Sequence, residues 1–317
     1  MLKVGIIGTG NMGSQHVRVY EELSNDCEVV AISDANPAQF ERFRKKTGAK
    51  FFQNYEDMLE QAKLDAVSIA LPNNLHHDAA IGCLEKGIDV LVEKPMALSV
   101  NDAKDMIRAA KRNDRILMVG HIERFNPAVQ FIGKFIADGK LGAIFYLSSR
   151  RIGVYPSRFE GPGKFGVSLD LAIHDVDVMR FLIDGPVRLI HKEKMKRLSE
   201  KDDYVCLTLG FGDVVGVVEA SWLSPFKIRQ LLITGEKGLA IVDYLGQTVD
   251  IISGYRDDSE FRGYANFLSL EYEISKPVIK KEEPLKVELG HFLKCVSDHS
   301  TPSSDGANGL ENLKLVI

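Results

Sequence analysis

At 317 residues, 45% of them apolar, and with a formal net charge of -4, the chain is long enough for two cores and lacks the basic surplus of a nucleic-acid or anionic-membrane binder. Its four cysteines, Cys27, Cys83, Cys206 and Cys295, form no CxxC or Cys/His cluster, so reduced thiols are expected rather than a zinc site or a disulfide framework. No apolar run approaches the roughly 18 residues of a membrane helix, and MLKVGIIG runs into a strand without the features of a signal peptide, which predicts a cytoplasmic protein with a small-molecule partner and no metal.

From Met1 to Gly120, short β-rich runs (Lys3-Gly8, Val29-Ser33, Ala66-Leu71, Val90-Val92, Ile116-Gly120) alternate with helical stretches, the pattern of a doubly wound parallel sheet. Ser99 and Asp102 resemble a capping box that opens a helix over Asn101-Arg112. Residues 1–120 therefore read as one Rossmann-type, doubly wound domain.

After Gly120 the texture changes. Helical stretches at Pro127-Asp138 and Ser168-Ile183 precede strands at hairpin spacing: Val187-Lys194, Tyr204-Phe211, Val214-Trp222, Ile228-Thr234 and Leu239-Tyr244. Leu285-Ser297 and Gly309-Ile317 read as helices, and the absence of a cap signal on the last predicts that the natural chain extends further. Residues 121–317 are assigned to an α+β domain with a large, mostly antiparallel sheet that carries the substrate and the oligomer interface. The polar insert Arg256-Arg262 reads as a loop. Apolar alternation in Val214-Trp222 and Ile228-Thr234 predicts a homodimer or homotetramer.

Gly8-Thr9-Gly10-Asn11-Met12-Gly13 follows an apolar strand and precedes the helical stretch Ser14-Leu23. The first two glycines permit a tight turn and a close approach by pyrophosphate, the third lets helix and strand pack, and the helix N-terminus attracts the phosphates. Asp34, at the end of the second strand, can accept hydrogen bonds from the adenosine ribose and would repel a 2'-phosphate, so NAD is favoured over NADP. It also reads as a turn-forming aspartate before Asn36-Pro37. Pro72 and Asn73 follow the third strand candidate and belong at the same sheet edge, with His76 opening the next helix as a capping or cofactor-adjacent residue. Glu93-Lys94-Pro95 closes the run Ile88 to Val92; Pro95 keeps Lys94 extended and aims it where ligands bind in an open α/β sheet.

In Ser168 to Asp177, the positions Asp170, His174 and Asp177 fall on one helical face of an otherwise apolar segment, a polar stripe of the kind that lines a cavity. With Lys94, these groups suit alcohol oxidation. His174, an imidazole with an ordinary pKa near 6.5, takes the hydroxyl proton, Lys94 stabilises the developing alkoxide, and Asp170 orients the other two or fixes sugar hydroxyls. A desolvated lysine can also act as base, so the two roles can be exchanged.

These motifs together resemble the Gfo/Idh/MocA oxidoreductases, dinucleotide-dependent dehydrogenases of sugars, inositols and their derivatives. The resemblance spans the chain: GTGNMG, the segment from Pro72 to Pro95, DLAIHDVD, and the closing segment from Glu283 to Pro302. It implies Lys94, Asp170 and His174 as the catalytic set, with Ala172 standing where many members carry glycine. Gly120 to Pro127 with Leu169 to Asp175 is similar to the branch containing UDP-N-acetylglucosamine 3-dehydrogenases, which implies a sugar-nucleotide substrate oxidised at its 3-hydroxyl.

A diphosphate substrate needs cations, and Arg124, Arg150, Arg151, Arg158 and Lys164 cluster in sequence near the catalytic segments. Lys94, Arg124, Asn126, Arg151, Asp170 and His174 are the expected substrate contacts. Two other readings stand beside this one: a dehydrogenase of a free sugar or inositol, and a non-catalytic dinucleotide-binding sensor on the same fold.

Overall fold

The computed structural model describes residues 1–44, 47–155, 165–254 and 272–317, which form two compact units: 1–122 with 283–317, and 123–282. Arg158, Lys164 and Arg256-Arg262 lie outside the described residues.

The first unit is a six-stranded sheet built from β1 (Leu2–Ile7), β2 (Cys27–Ser33), β3 (Lys50–Phe52), β4 (Ala66–Ile69), β5 (Asp89–Glu93) and β6 (Leu117–Gly120), ordered β3-β2-β1-β4-β5-β6. Every pairing is parallel. Parallel strands buried on both faces need continuous apolar runs, which the sequence supplies: Val4, Ile6, Val67, Ile69, Val90, Leu91 and Val92 have no or almost no exposed surface. The order reverses between β1 and β4, and ligands bind beyond the carboxyl ends of the strands at such a point. Helices α1 (Asn11–Glu22), α2 (Ala38–Arg44), α3 (Tyr55–Gln61), α4 (His76–Glu85) and α5 (Val100–Arg112) alternate with the strands. Ser99 Oγ accepts from the Asp102 amide at 3.1 Å and opens α5, as the capping signal indicated. The three-residue β3, on the sheet edge, is too short to leave a periodic signal and was not anticipated.

The second unit contains α6 (Pro127–Ala137), β7 (Ile144–Val154), α7 (Ile173–Leu182), β8 (Arg188–Met195), β9 (Tyr204–Phe211), β10 (Val214–Ser221), β11 (Leu223–Gly235), β12 (Gly238–Asp243), β13 (Thr248–Gly254) and β14 (Tyr272–Ser275). Its sheet runs β14-β13-β12-β11-β7-β10-β9-β8, antiparallel except for the β7/β10 pair. Both α6 and α7 pack on this sheet and on each other. Leu147, Val205, Leu207, Val218, Leu231, Ile233 and Val242 fill the layer between, with no exposed surface. The sequence reading missed β7, β13 and β14. In β7 the polar run Ser148-Arg151 hides the alternation, because Arg151 is buried while Arg150 is exposed.

Helices α8 (Pro284–Asp298) and α9 (Gly306–Val316) return to the first unit, whereas the sequence reading placed them in the second. The reason is the open edge of the parallel sheet. Val119 on β6 donates its amide to Ser304 O and accepts from Ser304 Oγ, both at 2.8 Å, which satisfies groups an edge strand would otherwise leave unpaired. A side chain at Gly309 would press on Val119 and Met96, so glycine lets α9 settle against β6. Helix α8 docks on α1 through Arg18-Glu283 and Lys286-Glu22 ion pairs.

Candidate active site

In the first unit the glycine loop has the shape the motif calls for. Gly8 has φ +88°, and a Cβ there would stand 2.7 Å from the Ala70 carbonyl oxygen; one at Gly13 would collide with the Gly8 carbonyl oxygen. A Cβ at Gly10 would meet nothing within 4 Å. The outer glycines thus serve the turn and helix–strand contact, while Gly10 leaves open the space a dinucleotide pyrophosphate would occupy at the start of α1, where Asn11 and Met12 form the first turn. Asp34 accepts from the Thr9 amide at 2.7 Å and Thr9 Oγ1 at 2.6 Å through Oδ2, and from the Asn36 amide at 2.9 Å through Oδ1. It therefore forms the Asn-Pro turn and ties β2 to the loop; Thr9 as its anchor left no signal in the sequence.

Pro72 precedes a short 3-10 turn, Asn73–Leu75, in which Asn73 Nδ2 is a buried donor without a partner. The His76 ring, fully buried, meets the Pro95 carbonyl at 3.0 Å and the Leu71 carbonyl at 2.9 Å. Burial pushes this imidazole below its ordinary pKa against the opposing pull of the two carbonyls. Lys94 directly follows the carboxyl end of β5, joined to Pro95 by a cis peptide bond. Buried Glu93 bonds His16 Nε2 at 3.0 Å and also accepts from the Lys94 amide at 3.3 Å. Burial would raise the Glu93 pKa, but the His16 hydrogen bond and charge outweigh it and hold the carboxyl below its ordinary value. Because β1, β2, β4 and β5 are parallel, Gly8 to Gly13, Asp34, Pro72, Asn73 and Lys94 all lie at one edge of one sheet.

In the second unit, Ser168–Ala172 is a single π-helical turn leading into α7, an irregularity frequent at functional sites. Asp202 fastens its start, accepting from the Ser168 amide at 2.8 Å and from Ser168 Oγ at 2.5 Å, and Gly166 leaves room for that carboxylate. Asp170, 6% exposed, sits in this turn, and His174 follows in the first turn of α7.

The remainder of the predicted stripe is not a cavity lining. Asp177 is fully buried and holds Arg124 bidentately, Nε and Nη2 each at 2.8 Å. Neighbouring Asp175 takes Arg151 by the same edge, at 2.5 Å from Nε and 3.4 Å from Nη2, and Glu123 takes Nη1 at 2.7 Å. Although burial opposes the Arg151 charge, Asp175 and Glu123 outweigh it and raise its pKa. Asn126 caps α6 through the Ala128 amide and donates to the Tyr244 carbonyl at 3.1 Å. Arg124, Asn126 and Arg151 therefore each have hydrogen-bond partners inside the unit. For the two arginines, expected as substrate contacts, the carboxylate partners follow from burial, because a buried guanidinium needs a local carboxylate. Arg150, on the exposed side of β7, pairs with Glu219 at 2.7 Å. Among the described residues no group of three or more His, Cys, Asp and Glu could hold a metal, all four cysteines are free, and no helix is long and apolar enough to cross a membrane.

A six-stranded parallel sheet with a glycine loop at its switch point is a Rossmann-type, dinucleotide-binding architecture, and the second unit carries a large mostly antiparallel sheet. Residues 2–121 match the model of the oxidoreductase family with NAD-binding Rossmann fold, and residues 129–241 match the GFO/IDH/MocA C-terminal domain. The chain belongs to the Gfo/Idh/MocA oxidoreductase family and is a dehydrogenase acting on CH-OH groups.

A scyllo-inositol 2-dehydrogenase (NAD(+)) of Bacillus subtilis is 26% identical over 100% of this chain and 92% of its own length. A UDP-N-acetylglucosamine 3-dehydrogenase of Acidithiobacillus ferrooxidans is also 26% identical, over 97% of this chain and 93% of its own. The solved structure of an enzyme of that name from that organism superposes with a TM-score of 0.83 at 24% identity, covering 99% of this chain and 94% of that one, a likeness of fold.

Proposed function

We propose that the protein oxidises a secondary hydroxyl of a sugar nucleotide with NAD, the specific case being UDP-N-acetylglucosamine oxidised to its 3-keto form. The observation that carries the cofactor half is the gathering of the open position at Gly10, Asp34, the partnerless donor of Asn73 and Lys94 at one sheet edge. The loop glycines and the amides opening α1 hold the pyrophosphate, Asp34 the adenosine ribose, and Asn73 the nicotinamide half, with Pro72, His76 and Glu93 shaping the edge. The carboxylate of Asp34 favours NAD over NADP. When bound, NAD supplies the hydride acceptor.

The catalytic set in this reading is Lys94, Asp170 and His174. The His174 imidazole takes the hydroxyl proton, the Lys94 ammonium donates a hydrogen bond to the oxygen as charge develops on it, and the Asp170 carboxylate orients the reacting groups. His174→Ala and Lys94→Ala should each lower turnover by about 100- to 10,000-fold. NADH affinity, read by fluorescence titration, should change little. Unaltered turnover in both variants removes the assignment.

The substrate half is supported by the likeness to the UDP-N-acetylglucosamine 3-dehydrogenase. The likeness to the inositol dehydrogenase, together with the internal pairing of Arg124 and Arg151, favours a second reading, oxidation of a free polyol. Following nicotinamide reduction with UDP-N-acetylglucosamine, N-acetylglucosamine and myo-inositol in parallel separates them. Reduction with the nucleotide sugar alone supports the first; reduction with a free polyol alone replaces it.

The oligomer belongs to the same proposal: a homodimer or homotetramer formed through the second unit's sheet. The paired residues Tyr146 and Val215, and Ile274 further along, stand exposed there. A monomeric mass by light scattering would remove it.

A further inference from the structure

Three arginines of the second unit lie inside or at the margin of the layer between sheet and helices, and they differ in one respect. In Arg124 and Arg151 the side-on edge of the guanidinium, Nε with Nη2, is filled by a carboxylate, Asp177 and Asp175 respectively. Arg229 pairs in register with Arg151 across β11 and β7, so the two side chains leave the sheet on the same face. Its Nη1 donates to the Ile152 carbonyl at 2.7 Å and to the Ile228 carbonyl at 3.1 Å, which anchors the group. Among the described residues its Nε and Nη2 have no partner and no carboxylate stands within ion-pair distance.

The backbone around Arg229 is shaped to present it. The β7/β11 register breaks between Leu223 and Ile228, and such irregularities re-aim side chains beside active sites. Opposite the break stands Gly153, over which the guanidinium lies: a Cβ there would be 3.7 Å from Nη2 and 3.9 Å from Nη1. Burial, then the charge of Arg151, bring the guanidinium down to about 10, although Asp175, Glu123 and Asp170 are near enough to pull the other way. Asp175 and Glu123 are committed to Arg151, and Asp170, in the turn that leads into α7, is the third carboxylate in range of Arg229.

We infer that Arg229 is the specificity-determining residue of the substrate site, gripping an anionic group of the substrate, phosphate or carboxylate, with the Nε–Nη2 edge. That edge is planar and bidentate, the geometry that matches either anion. The inference deepens the proposed function and rests on it, since the anion in that reading is the diphosphate of the nucleotide. It also supplies what the internal pairing of Arg124 and Arg151 took away.

The test is calorimetric titration of the NADH-loaded protein with UDP and with D-glucuronate, for the wild type, Arg229→Gln and Arg229→Lys, alongside kcat/KM for UDP-N-acetylglucosamine and myo-inositol. The wild type should bind at least one anion. Arg229→Gln should weaken that binding about 10- to 100-fold, and Arg229→Lys, which keeps the charge without the fork, should recover part of it. Any fall in kcat/KM should be at least about tenfold larger for the charged substrate than for the polyol. Loss of UDP binding identifies a phosphate subsite, loss of glucuronate binding a carboxylate subsite.

Equal anion affinity in wild type and Arg229→Gln, no binding of either anion by the wild type, or an equal fall for charged and neutral substrates overturns the assignment; the last would make Arg229 a positioning residue for Asp170. A wild type that fails to turn over UDP-N-acetylglucosamine sinks the sugar-nucleotide reading separately, because anion binding is read without turnover.

Discussion

The two units build their functional residues from different material. In the first, the ligand-facing geometry is backbone: a glycine turn, helix amides, strand ends, and a carboxylate whose partners lie in its own turn and in the loop beside it. In the second, the charged residues expected at the substrate are buried and paired within the unit, Arg124 with Asp177 and Arg151 with Asp175 and Glu123, with Arg229 left over. Backbone geometry follows from residues adjacent in sequence. Buried charge depends on whichever distant side chain arrives to neutralise it, since an unpaired ion in the interior is too costly to keep.

The largest effect that sharpens this contrast is expected from Asp177→Ala, which strands a buried guanidinium. It should destabilise the protein by about 3–5 kcal/mol in urea unfolding, whereas the double change Arg124→Leu with Asp177→Leu should recover most of that loss. If the single change costs no more than a surface substitution, the second unit does not depend on its ion pairs. Next come two glycines of one loop. Gly13→Ala should cost about 1–3 kcal/mol, because its Cβ meets backbone, and should abolish NADH binding. Gly10→Ala should leave stability within about 0.5 kcal/mol yet weaken NADH at least about tenfold, since the new methyl occupies only the ligand's space. A Gly10→Ala protein that binds NADH normally breaks the account of the cradle.

Asp202→Ala should cost about 1–3 kcal/mol by stripping the acceptor from the Ser168 amide and hydroxyl. If the turn it fastens positions Asp170, kcat should fall more than KM rises. The smallest effect is on pH. His76 has its folded pKa depressed by burial, so the native state keeps it neutral while the unfolded chain takes up a proton below about 6.5. Its contribution is therefore whole above that value and is lost as pH falls from about 6.5 toward the lower folded pKa. Thermal unfolding between pH 7.5 and 5.5 should show that decline, and His76→Asn should flatten it. A wild-type midpoint independent of pH in this window removes the claim.

Legibility in the sequence divides along the same line. GTGNMG, its flanking strand and helix, the Asp34 turn and the Ser99 cap are local patterns, and each has the expected form in the structure. The strands with clean alternation, Tyr204–Phe211 and Val214–Ser221, were equally plain. Strand β7 was not, because the polar run Ser148 to Arg151 hides its alternation. The stripe at Asp170, His174 and Asp177 assumed one helical phase, but a π turn precedes α7 and Asp177 faces an arginine from another element. Arg229 left no signal at all, since an arginine in a strand looks the same whether or not its edge is filled.

By itself, then, the sequence determined the class of fold, the glycine cradle and the residue types available for oxidising an alcohol, because glycine turns, caps and apolar periodicity act over a few residues. Tertiary structure alone decided which charges are spent on one another, why α8 and α9 return to the first unit, and which arginine keeps an open edge. Those outcomes turn on desolvation: a charge or an unpaired strand edge takes whatever partner folding brings within hydrogen-bond reach, and that partner comes from anywhere in the chain.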